Sequence, residues 1–70
     1  MDELLVLEKI GSRIKTLRRK RDLSQEKLSL FSSVDRGFLS RIENGKTNFS
    51  IRTLHNICRS LRCSLSKIVC

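Results

Sequence analysis

Between residues 24 and 45 the sequence carries two start signals and one stop signal for α-helices. Ser24 and Asp35 are residue types that cap helix N-termini, because their side-chain oxygens accept hydrogen bonds from free N–H groups of the first turn. Asn44 and Gly45 tolerate positive φ and are typical of the end of a helix. The spacing predicts two short helices joined by a tight turn at residues 32–34.

Two short helices joined in this way form a helix-turn-helix unit, whose second helix enters the major groove of DNA. The charge distribution favours the same partner. The 70 residues include 15 Lys+Arg against 7 Asp+Glu, a net charge of +8, and after position 35 the only acidic residue is Glu43. The alternative is that the basic residues only keep the protein soluble. Because the excess begins with the second helix of the unit, double-stranded DNA is the favoured partner.

The first helix is predicted over about residues 3–21. Leu7, Ile10, Ile14 and Leu17 recur at the spacing of one helix face. Gly11 lies in the middle of this pattern and lowers helix stability by roughly 1 kcal/mol. Residues 1–9 are therefore expected to be a mobile or partner-dependent arm.

Two further helices are predicted after the helix-turn-helix unit, and each begins behind a serine. Ser50 precedes a fourth helix and Ser64 a short fifth one. No strand pattern is visible, so the predicted fold is all-α, with five helices in one domain over residues 1–70. The apolar positions of the last two helices are Ile51, Leu54, Ile57, Cys58, Leu61, Leu65, Ile68 and Val69.

The cysteines and the single histidine predict neither a metal site nor catalysis. Cys58, Cys63 and Cys70 are an odd number at spacings unlike a disulfide framework, and with His55 they match no usual zinc site. We therefore expect no cofactor, no metal and no enzymatic activity. The first apolar run, at residues 4–7, is too short for a signal peptide or a membrane span. The expected location is the cytoplasm, without membrane contact.

The pattern as a whole resembles the phage-repressor or Cro-like helix-turn-helix family, also called the Xre type. The resemblance covers about residues 10–69 and implies a compact five-helix fold like that of lambda repressor. Within the family the chain looks most like the controller proteins of restriction–modification systems, which are small homodimers that regulate their own operon and the endonuclease gene. The residues that carry the match are Ile14, Leu17, Arg18, Leu23, Ser24, Gln25, Glu26, Leu28, Val34, Asp35, Leu39, Ser40, Arg41, Ile42, Glu43, Asn44, Gly45, Lys46, Ser50, Leu54, Leu61 and Leu65.

Four positions depart from the family pattern. Ser33 stands in the turn where the family usually has Gly or Asn, and Arg62 ends the fourth helix where Gly is usual. A positive φ at either residue would cost about 1 kcal/mol. Leu30 and Phe31 occupy positions that are normally polar and outward-facing.

The resemblance implies that the second helix of the unit reads DNA bases. Arg36, Gly37, Ser40 and Arg41 share its outward face. Both arginines have the fork that reaches O6 and N7 of guanine, and glycine allows a close approach. Phe38 is expected either to contact a thymine methyl group or to pack half-buried. The alternative for the two arginines is that they only solvate an exposed helix face.

A second set of residues is expected to contact DNA phosphates, which sets affinity and register without reading sequence. In the family, the position of Gln25 hydrogen-bonds a phosphate at a helix N-terminus. Lys46, Asn48 and Arg52 are expected to hold a phosphate on the other side, and Arg13 to add a further contact. Glu43 would repel DNA, and the resemblance instead pairs it with Arg18 inside the protein.

The expected function is sequence-specific transcriptional regulation by a homodimer on an inverted-repeat operator. The last ten residues have more apolar surface than so short a helix can bury in its own domain, so a dimer interface is predicted there. Its residues are Leu61, Leu65, Ile68 and Val69. Two alternatives remain open. The chain could be the antitoxin of a toxin–antitoxin pair, with a second small protein as partner, or a protein-interaction adaptor on the same fold.

Overall fold

A computed structural model describes residues 2–69, and within them the chain forms five α-helices and no strand. The predicted all-α class is therefore confirmed. Met1 and Cys70, the third cysteine considered as a metal ligand, lie outside the described residues. The helices are α1 (Glu3–Lys20), α2 (Gln25–Ser32), α3 (Arg36–Glu43), α4 (Ile51–Ser60) and α5 (Leu65–Val69).

Three of the four predicted caps are present as expected. The side chains of Ser24, Asp35 and Ser50 accept hydrogen bonds from the backbone N–H three residues further on, at 3.0–3.1 Å. These bonds fix the starts of α2, α3 and α4. Ser64 differs, because its hydroxyl lies 3.0 Å from that of Ser66 instead.

Left-handed backbone conformations mark the helix ends. Gly45 has φ 68° after α3, and Ser33 and Arg62 have φ 58° and 56° after α2 and α4. Ser33 and Arg62, two of the four departures from the family pattern, therefore adopt the conformation that favours glycine. Asp22, with φ 55° after α1, is a third such non-glycine residue, and it was not predicted.

One hydrophobic core joins all five helices. Its fully buried members include Ile14, Leu28, Leu39, Leu54 and Ile57. On α1, Ile10 and Ile14 are buried as predicted, but Leu7 neither belongs to the core nor packs against it. Ile51 is a further correction: its side chain is 73% exposed. Ile51 is the first residue of α4, where the helix has not yet reached its packing partners.

Gly11 allows α1 to pass unusually close to the end of α3. A Cβ at this position would lie 2.2 Å from the Ile42 carbonyl oxygen, which is a severe overlap. The helix continues through Gly11 from Glu3 to Lys20, so no break separates residues 3–9 from the rest of α1. Glu8 lies against Gly45 in the same way, since its Cγ would be 2.7 Å from a Cβ there. Partner dependence of residues 1–9 stays a prediction.

Cys58 belongs to the core and is a poor nucleophile. Burial raises the pKa of its thiol to about 12, and the neighbouring thiol of Cys63 adds to the effect. Among residues 2–69, no three Cys, His, Asp or Glu side chains are grouped so that they could hold a metal ion. No helix of the described chain is long and apolar enough to span a membrane.

Candidate nucleic-acid interface

A buried ion pair fixes the position of α3. Arg18 Nε donates to Glu43 Oε2 at 2.8 Å and Arg18 Nη2 donates to Glu43 Oε1 at 3.2 Å. The remaining Arg18 nitrogen, Nη1, donates to the Leu23 carbonyl oxygen at 2.7 Å. This confirms the ion pair that the family resemblance implied. The acid of α3 is thus neutralised inside the protein and does not face a polyanion.

Gln25 links this pair to the N-terminus of α2. Its Nε2 donates to Glu43 Oε1 at 3.0 Å, and the side chain is half-buried. The first turn of α2 also has backbone N–H groups without partners inside the helix. A helix N-terminus of this kind attracts phosphate. Phosphate contact by Gln25 stays a prediction, and the structure adds a second role for its side chain.

The outward face of α3 carries the predicted base-reading residues. Arg36, Gly37 and Arg41 are exposed and Ser40 is half-buried. The opposite face packs Leu39 and Ile42 into the core, which fixes the rotation of the helix about its axis. The structure therefore brings the four residues together on one exposed face.

Phe38 packs beside that face. Its ring is partly buried against the core, and the Arg41 guanidinium carbon lies 5.7 Å from the ring centroid. This distance is within the range of a cation–π contact. Of the two roles expected from the sequence, the structure supports packing, with a brace for Arg41 as an added consequence.

The loop after α3 and the start of α4 present a second exposed basic edge. Lys46, Asn48 and Arg52 are all exposed. Asn48 Oδ1 accepts from the Phe49 N–H at 2.9 Å, which orders the loop before the Ser50 cap. Ile51 lies exposed within this edge. This exposure was not predicted, because the spacing of Ile51 matches the buried stripe of α4.

Arg13 has a structural contact in addition to its predicted role. Its Nη1 donates to the Ile68 carbonyl oxygen at 3.0 Å and so ties α1 to α5. A guanidinium near the last carbonyls of a helix stabilises that end. This bond uses one of the five N–H donors of the guanidinium, so phosphate contact by Arg13 stays a prediction.

The predicted dimer surface also needs correction. Leu61 is 0% exposed and Ile68 is 1% exposed, because α5 packs against α1 and α4 and buries both side chains in the core of one protomer. The expectation that they form leftover apolar surface is wrong. Leu65 is half-buried and Val69 is 47% exposed. Of the four predicted interface residues, these two can still contact a second copy.

Comparison with known proteins places the chain among DNA-associated regulators. A family model described as helix-turn-helix matches residues 14–68. The control protein C.MunI of Mycoplasma sp. is 41% identical over 61 residues, which are 86% of this chain and 82% of that protein. The antitoxin PezA of Streptococcus pneumoniae is 37% identical over 60 residues, but this chain spans only 38% of its length.

Solved structures of controller proteins share the fold. The restriction–modification controller protein C.AhdI from Aeromonas hydrophila matches with TM-score 0.86 and 31% identity, over 89% of this chain and 94% of that one. The controller protein C.Esp1396I, as a tetramer in complex with its natural 35 base-pair operator, matches with TM-score 0.81 and 33% identity, over 87% and 80% of the two chains.

Proposed function

Because the chain belongs to the helix-turn-helix family, we propose that it is a sequence-specific transcriptional regulator that inserts α3 into the major groove of DNA. The observation that carries this proposal is that the Glu43 carboxylate is buried and paired inside the protein. It is the only acidic residue after position 35, and it is 4% exposed and paired with Arg18. The surface formed by side chains from α3 onward is therefore basic and free of carboxylates among the residues described.

The residues divide by role. Arg36 and Arg41 read guanine edges, since a guanidinium fork matches O6 and N7. Gly37 lets the backbone of α3 approach the base pairs, and Ser40 adds a short polar contact. Phe38 acts through Arg41, whose guanidinium it supports.

Phosphate contacts frame the reading helix on two sides. On one side stand Gln25 and the N–H groups of the first turn of α2. On the other side stand Lys46, Asn48 and Arg52. These contacts contribute affinity and set the register of α3 in the groove.

The working unit that we propose is a homodimer on an inverted repeat. One small module buries too little surface for tight specific binding, and two-fold pairing of half-sites supplies the rest. The two copies of α3 would lie about 34–36 Å apart, one turn of DNA. Leu65 and Val69 would contribute to the contact between protomers.

Selection from a pool of random duplexes tests the DNA proposal. The expected product contains two inverted half-sites about 10–10.5 base pairs apart, centre to centre. A pool that shows no enriched sequence after several rounds would remove sequence-specific binding.

Sedimentation tests the dimer surface. Val69→Asp is expected to shift the protein towards monomer, since it places a charge on an exposed apolar site near α5. Leu4→Asp is the matched variant, because Leu4 is also half-exposed or more but lies at the other end of the chain in α1. An equal effect of both substitutions, or of neither, would place the interface elsewhere.

The biological role that we propose is that of a controller-like autoregulator in a restriction–modification system, acting in the cytoplasm without cofactor or catalysis. The similarity to C.MunI over most of both chains supports it. Neighbouring genes for a methyltransferase and an endonuclease would agree with this role. An antitoxin role is the second candidate, supported by the match to PezA over a smaller share of that protein. Co-purification of a toxin partner would favour it.

A further inference from the structure

A groove of about 670 Å³ lies where the C-terminal ends of α1, α2 and α4 meet. We call it the C-terminal groove and define it by Arg21, Phe31, Ser33, Arg59 and Arg62, which are among its lining residues. None of these residues has a part in the proposed DNA contacts. The groove is therefore a second surface whose chemistry needs its own explanation.

The charge of the C-terminal groove is positive. Arg21, Arg59 and Arg62 line it, and no carboxylate does. Within residues 2–69 the sole ion pair joins Arg18 to Glu43, so none of the three guanidiniums of the groove has an anionic partner there.

The ends of the helices offset only part of this charge. Three helix C-termini contribute roughly half a negative charge each, about −1.5 in total against three positive charges. Arg21 Nε donates to the Leu61 carbonyl oxygen, which satisfies one such end. The groove retains a net attraction for anions.

An apolar element stands at the same groove. Phe31 lines it and is 63% exposed, and the adjacent Leu30 is 73% exposed. Covering the exposed Phe31 ring is favourable by the hydrophobic effect. A partner that matches this surface must therefore combine negative charge with a large apolar side chain.

The backbone of the groove is strained. Ser33 and Arg62 both line it with positive φ, and Asp22, the third such non-glycine residue, lies next to Arg21. Glycine would occupy the position of Arg62 without this strain. A left-handed residue is a common way for a helix to end, so this conformation fixes where Arg62 lies without identifying a ligand.

DNA bound at the proposed interface would leave the C-terminal groove open. Both α2 and α4 end at the groove, and their N-termini carry the expected phosphate contacts. At 1.5 Å per residue, the eight residues of α2 and the ten of α4 separate the two surfaces by about 12 and 15 Å.

From this combination we infer that the C-terminal groove docks an acidic peptide segment of a partner protein. Carboxylates of the segment pair with Arg21, Arg59 and Arg62, and a large apolar side chain packs on Phe31. Guanidinium forks bind carboxylates bidentately, which suits such a ligand. The inference goes beyond DNA binding, since the protein would hold a second protein while it is seated on its operator.

Selection from a phage-displayed library of random twelve-residue peptides tests the inference. The full chain is the target, and excess duplex DNA covers its DNA-binding surface during selection. The expected consensus contains several Asp or Glu residues around a large apolar residue. The absence of any acidic and apolar consensus would overturn the inference.

Binding of the synthesised consensus peptide, measured by fluorescence anisotropy, then locates the site. The groove variant is Arg59→Ala/Arg62→Gly, in which glycine suits the φ of 56° at position 62. The matched variant, Arg36→Ala/Lys46→Ala, removes two charges from the DNA-binding surface instead. We expect the groove variant to bind at least about tenfold more weakly and the matched variant to change by less than about twofold.

Two outcomes of this measurement contradict the inference. Equal weakening of both variants would mean that the peptide binds through net charge alone. Loss of duplex affinity in the groove variant would make the groove part of the DNA surface. Thermal melting of both variants verifies that they are folded. Failure of operator selection with intact peptide binding would reject the proposed function and leave this inference standing.

Discussion

The guanidinium of Arg18 and the carboxylate of Glu43 meet fork to fork inside the domain, with contacts of 2.8 and 3.2 Å. Both residues are buried, so the pair replaces hydration that each group would have in water. The pair joins the last turn of α1 to the last residue of α3. It therefore couples the stability of the domain to the orientation of the helix that is expected to read DNA.

Removing one partner of this pair should destabilise the fold severely. Glu43→Ala leaves the Arg18 charge buried without its anion, and we expect a loss of about 3–5 kcal/mol in the free energy of unfolding. A chain of this size has only about 4–10 kcal/mol in total. Urea denaturation followed by circular dichroism measures the loss.

The double variant Arg18→Met/Glu43→Leu distinguishes the cost of an unpaired charge from the loss of attraction. Because both charges are gone, it should recover most of the lost stability. If Glu43→Ala loses less than about 1 kcal/mol, the pair is not a structural element of the kind described.

Gly11→Ala should destabilise the protein although alanine favours helices. The added Cβ would lie 2.2 Å from the Ile42 carbonyl oxygen, so α1 and α3 must move apart. We expect a loss of about 1–3 kcal/mol, as for overpacking in a core. Gly37→Ala is the matched variant, since its Cβ would meet only the Asp35 side chain, at 3.2 Å. Its melting temperature should change little, and a gain of stability in Gly11→Ala would refute the close packing.

Arg36→Ala should weaken binding to the selected operator by about 1–3 kcal/mol and leave binding to random duplexes nearly unchanged. The reason is that contacts to the bases distinguish the operator from other sequences.

Lys46→Ala should weaken binding to all sequences alike and lower the slope of log affinity against log salt concentration by about 1. Gel-shift titrations at several salt concentrations measure both effects. Equal losses on operator and random DNA for Arg36→Ala would make it a backbone contact.

The buried thiol of Cys58 should make the protein sensitive to alkali. Its pKa is raised from 9.0 to about 12 in the folded state, so above about pH 9 the unfolded chain loses this proton first. The contribution to stability is complete below about pH 9 and decreases as pH rises towards 12, by at most about 1.4 kcal/mol per pH unit. Denaturation between about pH 8 and 11 should show a steeper decline for the wild type than for Cys58→Ala. Parallel curves would show that this thiol does not titrate differently in the two states.

The features that could be predicted from the sequence are those set by local chemistry. The caps at Ser24, Asp35 and Ser50 depend on side chains that bond to their own helix, so residue type and position predicted them. The same reasoning failed at Ser64, whose hydroxyl pairs with that of Ser66 instead. The positive φ of Ser33 was raised by the family resemblance, because Gly or Asn is usual at that position. The pairing of Arg18 with Glu43 came from the family resemblance, because the residues are too far apart in sequence for spacing to suggest it.

Features that depend on neighbouring helices could not be predicted. Gly11 looks like a weak point in an isolated helix, and only the passage of α3 shows that a side chain would not fit there. Helical spacing assigned Ile51 to the buried stripe, but the first turn of α4 extends beyond its partners. Leu61 and Ile68 were predicted to lie on the surface, because the sequence does not reveal how completely the packing of α5 on α1 and α4 buries them. The C-terminal groove arises from three chain segments. Phe31, Ser33 and Arg62 depart from the family pattern, but only the packing of the helices shows that they line one groove.

Gln25 stands where the expected phosphate anchor and the end of the reading helix are held together, through its hydrogen bond to Glu43. The distance between the phosphate-contacting end of α2 and the base-reading helix α3 is thereby set when the protein folds, before it binds DNA. Little orientational freedom then remains to be lost on binding, which favours affinity. We expect a duplex whose phosphates lie at a different distance from its base edges to bind this arrangement more weakly. The hydrogen bond between Gln25 and Glu43 would thus make affinity depend on the shape of the DNA as well as on its bases.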